Sequence, residues 1–172
     1  GSLVPALDAV GRGFEAGTLY LPQLLMSAEA AKAAFEVLKE RLPVSAGAEM
    51  GPVLLATVKG DIHDIGKNIV KVLLESHRFR VLDLGKDVPP ETIVEAVKAH
   101  GIRLVGLSAL MTTTAPYMAE TISALRRANL PCRVVVGGAV ITKEYAAAIG
   151  AGQYAQDALE SVHYAQAIFG DC

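Results

Sequence analysis

The stretch Pro52-Val53-Leu54-Leu55-Ala56-Thr57-Val58, running into Lys59-Gly60-Asp61-Ile62-His63-Asp64-Ile65-Gly66-Lys67-Asn68, decides how the rest of the chain is read. Its first half is apolar without polar alternation. A strand of that kind is buried on both faces, as in a parallel sheet covered by helices on either side. Its second half is a loop that opens an amphipathic helix predicted over 65–77. The same rhythm then repeats. Strands are predicted over 79–83, 104–108, 133–136 and 153–155, and helices over 90–100, 115–129, 144–149 and 158–169. Pro90 and Glu91 mark the first turn of their helix. This alternation predicts an α/β fold: a Rossmann-like, doubly wound, parallel five-stranded sheet.

Upstream the pattern changes. Leu3, Leu7, Val10 and Phe14 recur at helical spacing, and Gly17 punctuates the chain. Over 21–42, Leu24, Leu25, Ala28, Ala31, Phe35 and Leu38 share one helical side. Ser45-Ala46-Gly47-Ala48 reads as a linker of small residues. The expected organisation is a small all-α helical cap over 1–45 and an α/β domain over 51–172. Gly1-Ser2 has the look of a vector-derived leader, which points to a piece of a longer chain.

Composition narrows the function. Of 172 residues, 52% are hydrophobic and 20% charged, enough apolar material for a real core. Aromatic residues are only 5% and Trp is absent, which suits close helix–sheet packing by small aliphatic side chains. A net charge of −2 with no basic block argues against nucleic acid. The sequence shows no signal-peptide pattern and no bilayer-spanning apolar run, so no membrane partner is expected. Cys132 and Cys172 form no framework and have no metal-ligand spacing; free thiols in a reducing cytoplasm are expected.

In doubly wound sheets, ligands bind beyond the carboxyl ends of the strands. Three loops carrying polar residues or glycine fall there: 59–68, 108–114 and Gly137-Gly138-Ala139. The sharpest is Asp61-x-His63-x-x-Gly66. A histidine ligates a metal through one neutral ring nitrogen, and the other nitrogen then needs a carboxylate to fix the tautomer. Asp61 is placed to supply it, and Gly66 leaves room for something bulky. The same residues also read as a plain helix start with Asp64 as N-cap, and the motif alone does not separate the two. A zinc site lacks further ligands at suitable spacing, since His77, His100 and His163 lie in helical stretches. Gly60 and Gly66 do not form a dinucleotide fingerprint. Nor do they form a phosphate loop, which needs one residue fewer between them and Ser or Thr after Lys67.

Asp61-x-His63-x-x-Gly66, with Ser108-x-Leu110 and Gly137-Gly138 downstream, resembles the signature of cobalamin-binding domains in methionine synthase and related corrinoid methyltransferases. Val10-Gly11-x-x-Phe14-x-x-Gly17-x-x-Tyr20-Leu21-Pro22-Gln23-Leu24 is similar to the four-helix cap that precedes this domain in the methyltransferases. Adenosylcobalamin mutases lack that cap. The resemblance implies cobalamin (methylcobalamin) as cofactor, bound with its own base displaced and with His63 as lower ligand to cobalt. Asp61 would accept from the other imidazole nitrogen. Thr114, where the family commonly has Ser, would extend a proton relay that responds to gain and loss of the methyl group. Asp64, Gly66, Ser108, Leu110, Thr112, Gly137 and Gly138 would line the cofactor, Ser108 contacting the buried base. Tyr20, with Leu21, Leu24 and Leu25, would cover the upper face, and Tyr154 would lie near the last pocket segment. Gly152 stands there where the family pattern has Asp.

The leading expectation is the cobalamin module of methionine synthase. Its partners would be the folate and homocysteine modules and a reductive reactivation partner, with the 45–48 linker as a hinge. The alternative is a free-standing corrinoid protein of a methanol, methylamine or methoxy-aromatic system. A cobalamin-dependent sensor is a further reading.

Overall fold

The structure, a computed structural model, describes residues 49–170 without a break and scattered positions between 6 and 37. The chain divides into two compact units, Gly1–Pro43 and Val44–Cys172. In the first, the described residues on either side of 16–20 are helical. Gly17 takes φ +71°, and Thr18 and Leu19 both donate their backbone N–H to the Gly13 carbonyl, which ends the preceding helix as a glycine of positive φ commonly does. The Tyr20 backbone N–H donates to Gln23 Oε1 at the start of the next helix. Phe14, Leu21, Leu24, Leu25 and the 45–48 linker lie outside the described residues.

The second unit runs β1 (Met50–Thr57), α1 (Ile65–Ser76), β2 (Phe79–Asp83), α2 (Pro90–His100), β3 (Leu104–Ser108), α3 (Pro116–Arg127), β4 (Arg133–Gly137), α4 (Lys143–Ala148), β5 (Gln153–Tyr154) and α5 (Ala158–Gly170). All pairings are parallel, in the order β2-β1-β3-β4-β5. β1 begins before Pro52 because its register with β2 shifts between Met50 and Pro52. Such an irregularity lets a strand carry a residue with no N–H to donate.

Alternation along β1 sends its side chains into two cores. Val53 and Leu55 meet Leu74 of α1 and Val162 and Ala165 of α5. Leu54, Ala56 and Val58 meet Ile93 and Val97 of α2 and Met118 and Ile122 of α3. Val53, Leu54 and Val58 are fully buried, each contributing roughly 2 kcal/mol by leaving water. The sheet is thus covered on both faces. Gly101 closes α2 in the left-handed conformation, φ +59°, with its N–H on the Val97 carbonyl.

The strand order reverses direction between β1 and β3. That junction is where chains of this topology hold ligands.

Candidate functional site

At the reversal point Thr57 of β1 lies opposite Ser108 of β3, and both loops leave the sheet side by side. The Val58 N–H donates to the Ser108 carbonyl at 3.1 Å, and Asp87, in the turn after β2, donates its N–H to the Asp61 carbonyl at 2.9 Å. Asp61 is thereby fixed between three loops and is fully buried.

Its carboxylate is the hub. Oδ1 accepts from the backbone N–H of His63 at 3.0 Å and lies 2.8 Å from His63 Nδ1. Oδ2 accepts from the Leu110 N–H at 2.7 Å and from the Thr114 hydroxyl at 2.6 Å. Burial by itself would raise the carboxyl's pKa. The bonds from Thr114, from the His63 and Leu110 backbones and from the His63 ring outweigh it and hold Asp61 ionised, well below the ordinary carboxylate range. An ionised acceptor at Nδ1 puts the imidazole proton there and leaves the lone pair on Nε2. That nitrogen has no hydrogen-bond partner among the described residues, and the side chain is 45% exposed. His63, Asp61 and Thr114 therefore form one continuous chain of hydrogen bonds. The extra methyl of Thr114 packs beside Gly60 and leaves the hydroxyl on Asp61.

The two loops that meet at Asp61 each expose one large apolar side chain. Ile62 and Leu110 are both exposed, at 62% and 41%. Thr112 is exposed beside them. Asp64 occupies the N-cap position of α1, but its side chain makes no capping bond, so the plain helix-start reading does not account for it. A Cβ on Gly66 would meet nothing within 4 Å, so open space faces it. Ser108 is half-buried at the strand end. Tyr154 ends β5, three strands from β1 and roughly 14 Å across the sheet, and packs against the α2–α3 core. Tyr20, in the first unit, is 70% exposed.

Gly137 and Gly138 are in close contact with neighbouring backbone. A Cβ on Gly138, whose φ is +140°, would fall 1.9 Å from the Ala109 carbonyl oxygen, and one on Gly137 would fall 3.2 Å from that of Ala155. At Gly138 the approach that excludes a side chain is backbone on backbone, between neighbouring loops; at Gly137 the fit is tight but not forbidding. Gly138→Ala is expected to destabilise the protein by about 2–3 kcal/mol through that collision; urea unfolding of the apoprotein checks it, and an unchanged midpoint would refute the account.

Two features were invisible in the sequence pattern. Thr57 is fully buried with its hydroxyl 2.8 Å from that of Ser108. Lys67 is 3% exposed and binds Asp83 Oδ1 at 2.6 Å and Asn68 Oδ1 at 2.8 Å. Asp83 would be raised by burial, but Lys67, the Gly85 N–H and Lys71 lower it on balance. Lys67 is thus committed to fastening α1 to β2 and is not a phosphate ligand.

The donor set fits one kind of metal group. Among the described residues no three His, Cys, Asp or Glu side chains could hold an ion together. A single oriented imidazole with its second nitrogen unpaired suits a metal group that carries most of its own ligands and takes one from the protein. Cys132, half-buried, takes no part; burial raises its thiol. Cys172 lies outside the described residues. No described helix is long and apolar enough to cross a membrane.

Comparison with known proteins agrees with this geometry. Residues 51–163 match the model of the B12 binding domain, and residues 1–39 match a second B12 binding domain model. The dimethylamine corrinoid protein 1 of Methanosarcina acetivorans is 44% identical over 163 residues, 93% of this chain and 76% of its own. The solved monomethylamine corrinoid protein of Methanosarcina barkeri matches with a TM-score of 0.90 and 34% identity, covering 97% of this chain and 80% of that one. The methanol:cobalamin methyltransferase complex of the same organism matches with a TM-score of 0.69 and 30% identity, covering 99% and 66%.

These relatives do not support the expected methionine synthase module or its folate and homocysteine partners; the alternative, a corrinoid protein of an amine or methanol system, fits them better. The motifs that carry the resemblance, Asp61-x-His63-x-x-Gly66, Ser108-x-Leu110 and Gly137-Gly138, are shared by corrinoid-binding domains of both groups and so do not distinguish the methyl acceptor. What the motifs and matches share is the cofactor: the chain belongs to the B12 binding domain family, and its cofactor is cobalamin.

Proposed function

We propose that the chain is the corrinoid protein of a methylamine- or methanol-type methyltransferase system, passing a methyl group between a donor-side and an acceptor-side protein. The observation that carries the reading is the oriented imidazole: Nδ1 of His63 held by buried, ionised Asp61, with Nε2 free at the strand edge. It is joined by 41–44% identity to dimethylamine corrinoid proteins. Cobalamin, when bound, supplies the cobalt that bears the methyl group.

The chain's own residues do the rest. His63 would offer Nε2 to the cobalt. Asp61 keeps the ring proton on Nδ1 and ties the ligand to the 108–114 loop through Leu110 and Thr114. Ile62 and Leu110 give the cofactor an apolar bed that excludes water, flanked by Asp64, Gly66 and Thr112. In this reading residues 1–45 are a helical cap and 51–172 the holding domain.

The test is substrate-side. The cobalamin-loaded, reduced chain is mixed with dimethylamine, monomethylamine or methanol, each with its matching methyltransferase, and in parallel with methyltetrahydrofolate and a folate methyltransferase. Methylation, read from the cofactor spectrum, is expected with an amine or methanol partner. Methylation from the folate side alone would sink the proposal.

A further inference from the structure

Thr57 and Ser108 are the last residues of β1 and β3 and face each other across the parallel ladder. Their hydroxyl oxygens are 2.8 Å apart. Thr57 is fully buried, whereas Ser108 is half-open at the strand edge. Among the described residues, neither hydroxyl has another hydrogen-bond partner. A hydroxyl carries one proton and two lone pairs, and a buried one must place its proton on an acceptor. For Thr57 the acceptor in reach is Ser108 Oγ. Thr57 therefore donates and Ser108 accepts, which leaves the Ser108 proton for a ligand.

The surroundings sharpen what that ligand can be. On the sheet face that carries α1 and α5, the positions nearest Ser108 are Gly106 on its own strand and Gly137 beside it on β4. Leu55 lies over Gly106, its Cδ2 2.6 Å from where a Cβ would stand, and closes the floor with hydrocarbon. The strand edge thus presents one oriented donor above an apolar floor, with Thr57 on one side and bare glycine on the other. That is a receptor for a flat aromatic group with a single acceptor on its rim.

We propose that Thr57 is a positioning residue that makes Ser108 a hydrogen-bond donor, and that the pair selects corrinoids whose lower base is a nitrogen heteroaromatic with an unprotonated ring nitrogen. This rests on the chain being a corrinoid carrier as proposed above, with the lower base of the corrinoid lying against Ser108. Benzimidazole and purine bases offer that nitrogen. A phenolic base does not, and pairing it with Ser108 would leave the donor unsatisfied, a recurring source of discrimination.

The test is equilibrium binding to the full chain of four corrinoids: one with dimethylbenzimidazole, one with adenine, one with a phenolic base, and cobinamide, which lacks the base. Thr57→Val keeps the shape and removes the hydroxyl. It is expected to weaken the two nitrogen-base corrinoids by about tenfold, the size of one hydrogen bond, and to leave the phenolic form and cobinamide within about twofold. Thr57→Ser is expected to restore the loss. Equal weakening of all four would assign Thr57 a purely structural role and overturn the inference, as would no change in any, or a wild-type chain that holds the phenolic form as tightly as the benzimidazole form. If the wild-type chain bound cobinamide as well as the complete cofactor, the proposed placement of the base would fall, and this inference with it.

Discussion

A His63→Ala chain is expected to hold cobalamin at least about 100-fold more weakly than the parent and to show no spectral sign of imidazole on the metal. The size follows from what remains. Loss of a partner that merely orients a ligand costs about 10–100-fold in metal affinity, and here the ligand itself goes. No other histidine can stand in. His77 caps the far end of α1 with Nδ1 2.8 Å from the Leu73 carbonyl, and His100 is the last residue of α2. In a parallel sheet these helix ends lie at the edge opposite the site. His163 sits within α5. The fold should survive, because the His63 side chain is 45% exposed and belongs to neither core. The check is absorbance titration beside thermal unfolding of the apoprotein, whose stability should change by no more than about 0.5 kcal/mol. A His63→Ala chain with the parent's spectrum and affinity would remove His63 from the metal.

The sheet was legible in the sequence because each strand is a short, nearly unbroken apolar run bounded by Gly, Pro or polar turns. Phe79–Asp83, Leu104–Ser108 and Pro90–His100 fall where the pattern places them. β1 starts two residues early because hydropathy sees Pro52 as a strand start, while the ladder passes it by a register shift. The Asp61–His63 pair was legible because it is local, two residues apart. The partners that give it meaning were not. Thr57 reads as a β-branched strand residue until the register brings it to a hydroxyl 51 residues away. The Leu110 N–H is a backbone donor, which no sequence pattern displays. The glycine pair reads as a turn lining a ligand, and no pattern displays that a Cβ on Gly138 would strike the Ala109 carbonyl. The methyl acceptor was not legible at all, for the motifs read in the sequence are shared by corrinoid-binding domains whatever their acceptor.

Asp61→Asn is the subtler change and tests the mechanism rather than the ligand. The substitution is nearly isosteric, but a carboxylate accepts on both oxygens and an amide on one. With the amide oxygen kept toward Leu110 and Thr114, the NH2 group faces the His63 backbone N–H, where the carboxylate oxygen was 3.0 Å away, and the ring Nδ1, where it was 2.8 Å away. Two donors then oppose each other at the backbone. The ring can relieve only its own contact, by turning Nδ1 into an acceptor. Its proton then sits on Nε2, which has no lone pair left for a metal. With the amide reversed, NH2 opposes the Leu110 N–H instead, where the distance to oxygen was 2.7 Å, and the 108–114 loop loses its tie. Either arrangement leaves a buried donor unpaired, so the apoprotein should lose about 2–4 kcal/mol at neutral pH by urea unfolding. Cobalamin affinity should fall by about 10–100-fold. The tautomer is observable separately, from the nitrogen-15 shifts of His63 in the apoprotein: Nδ1-protonated in the parent, and Nε2-protonated in the variant when the amide oxygen stays toward Leu110 and Thr114. A variant that kept both the parent's tautomer and its affinity would show that Asp61 holds the loops together without governing the ligand. Loss of affinity together with the tautomer change would place control of the axial nitrogen in the buried carboxylate, one hydrogen bond away from the group that meets the metal.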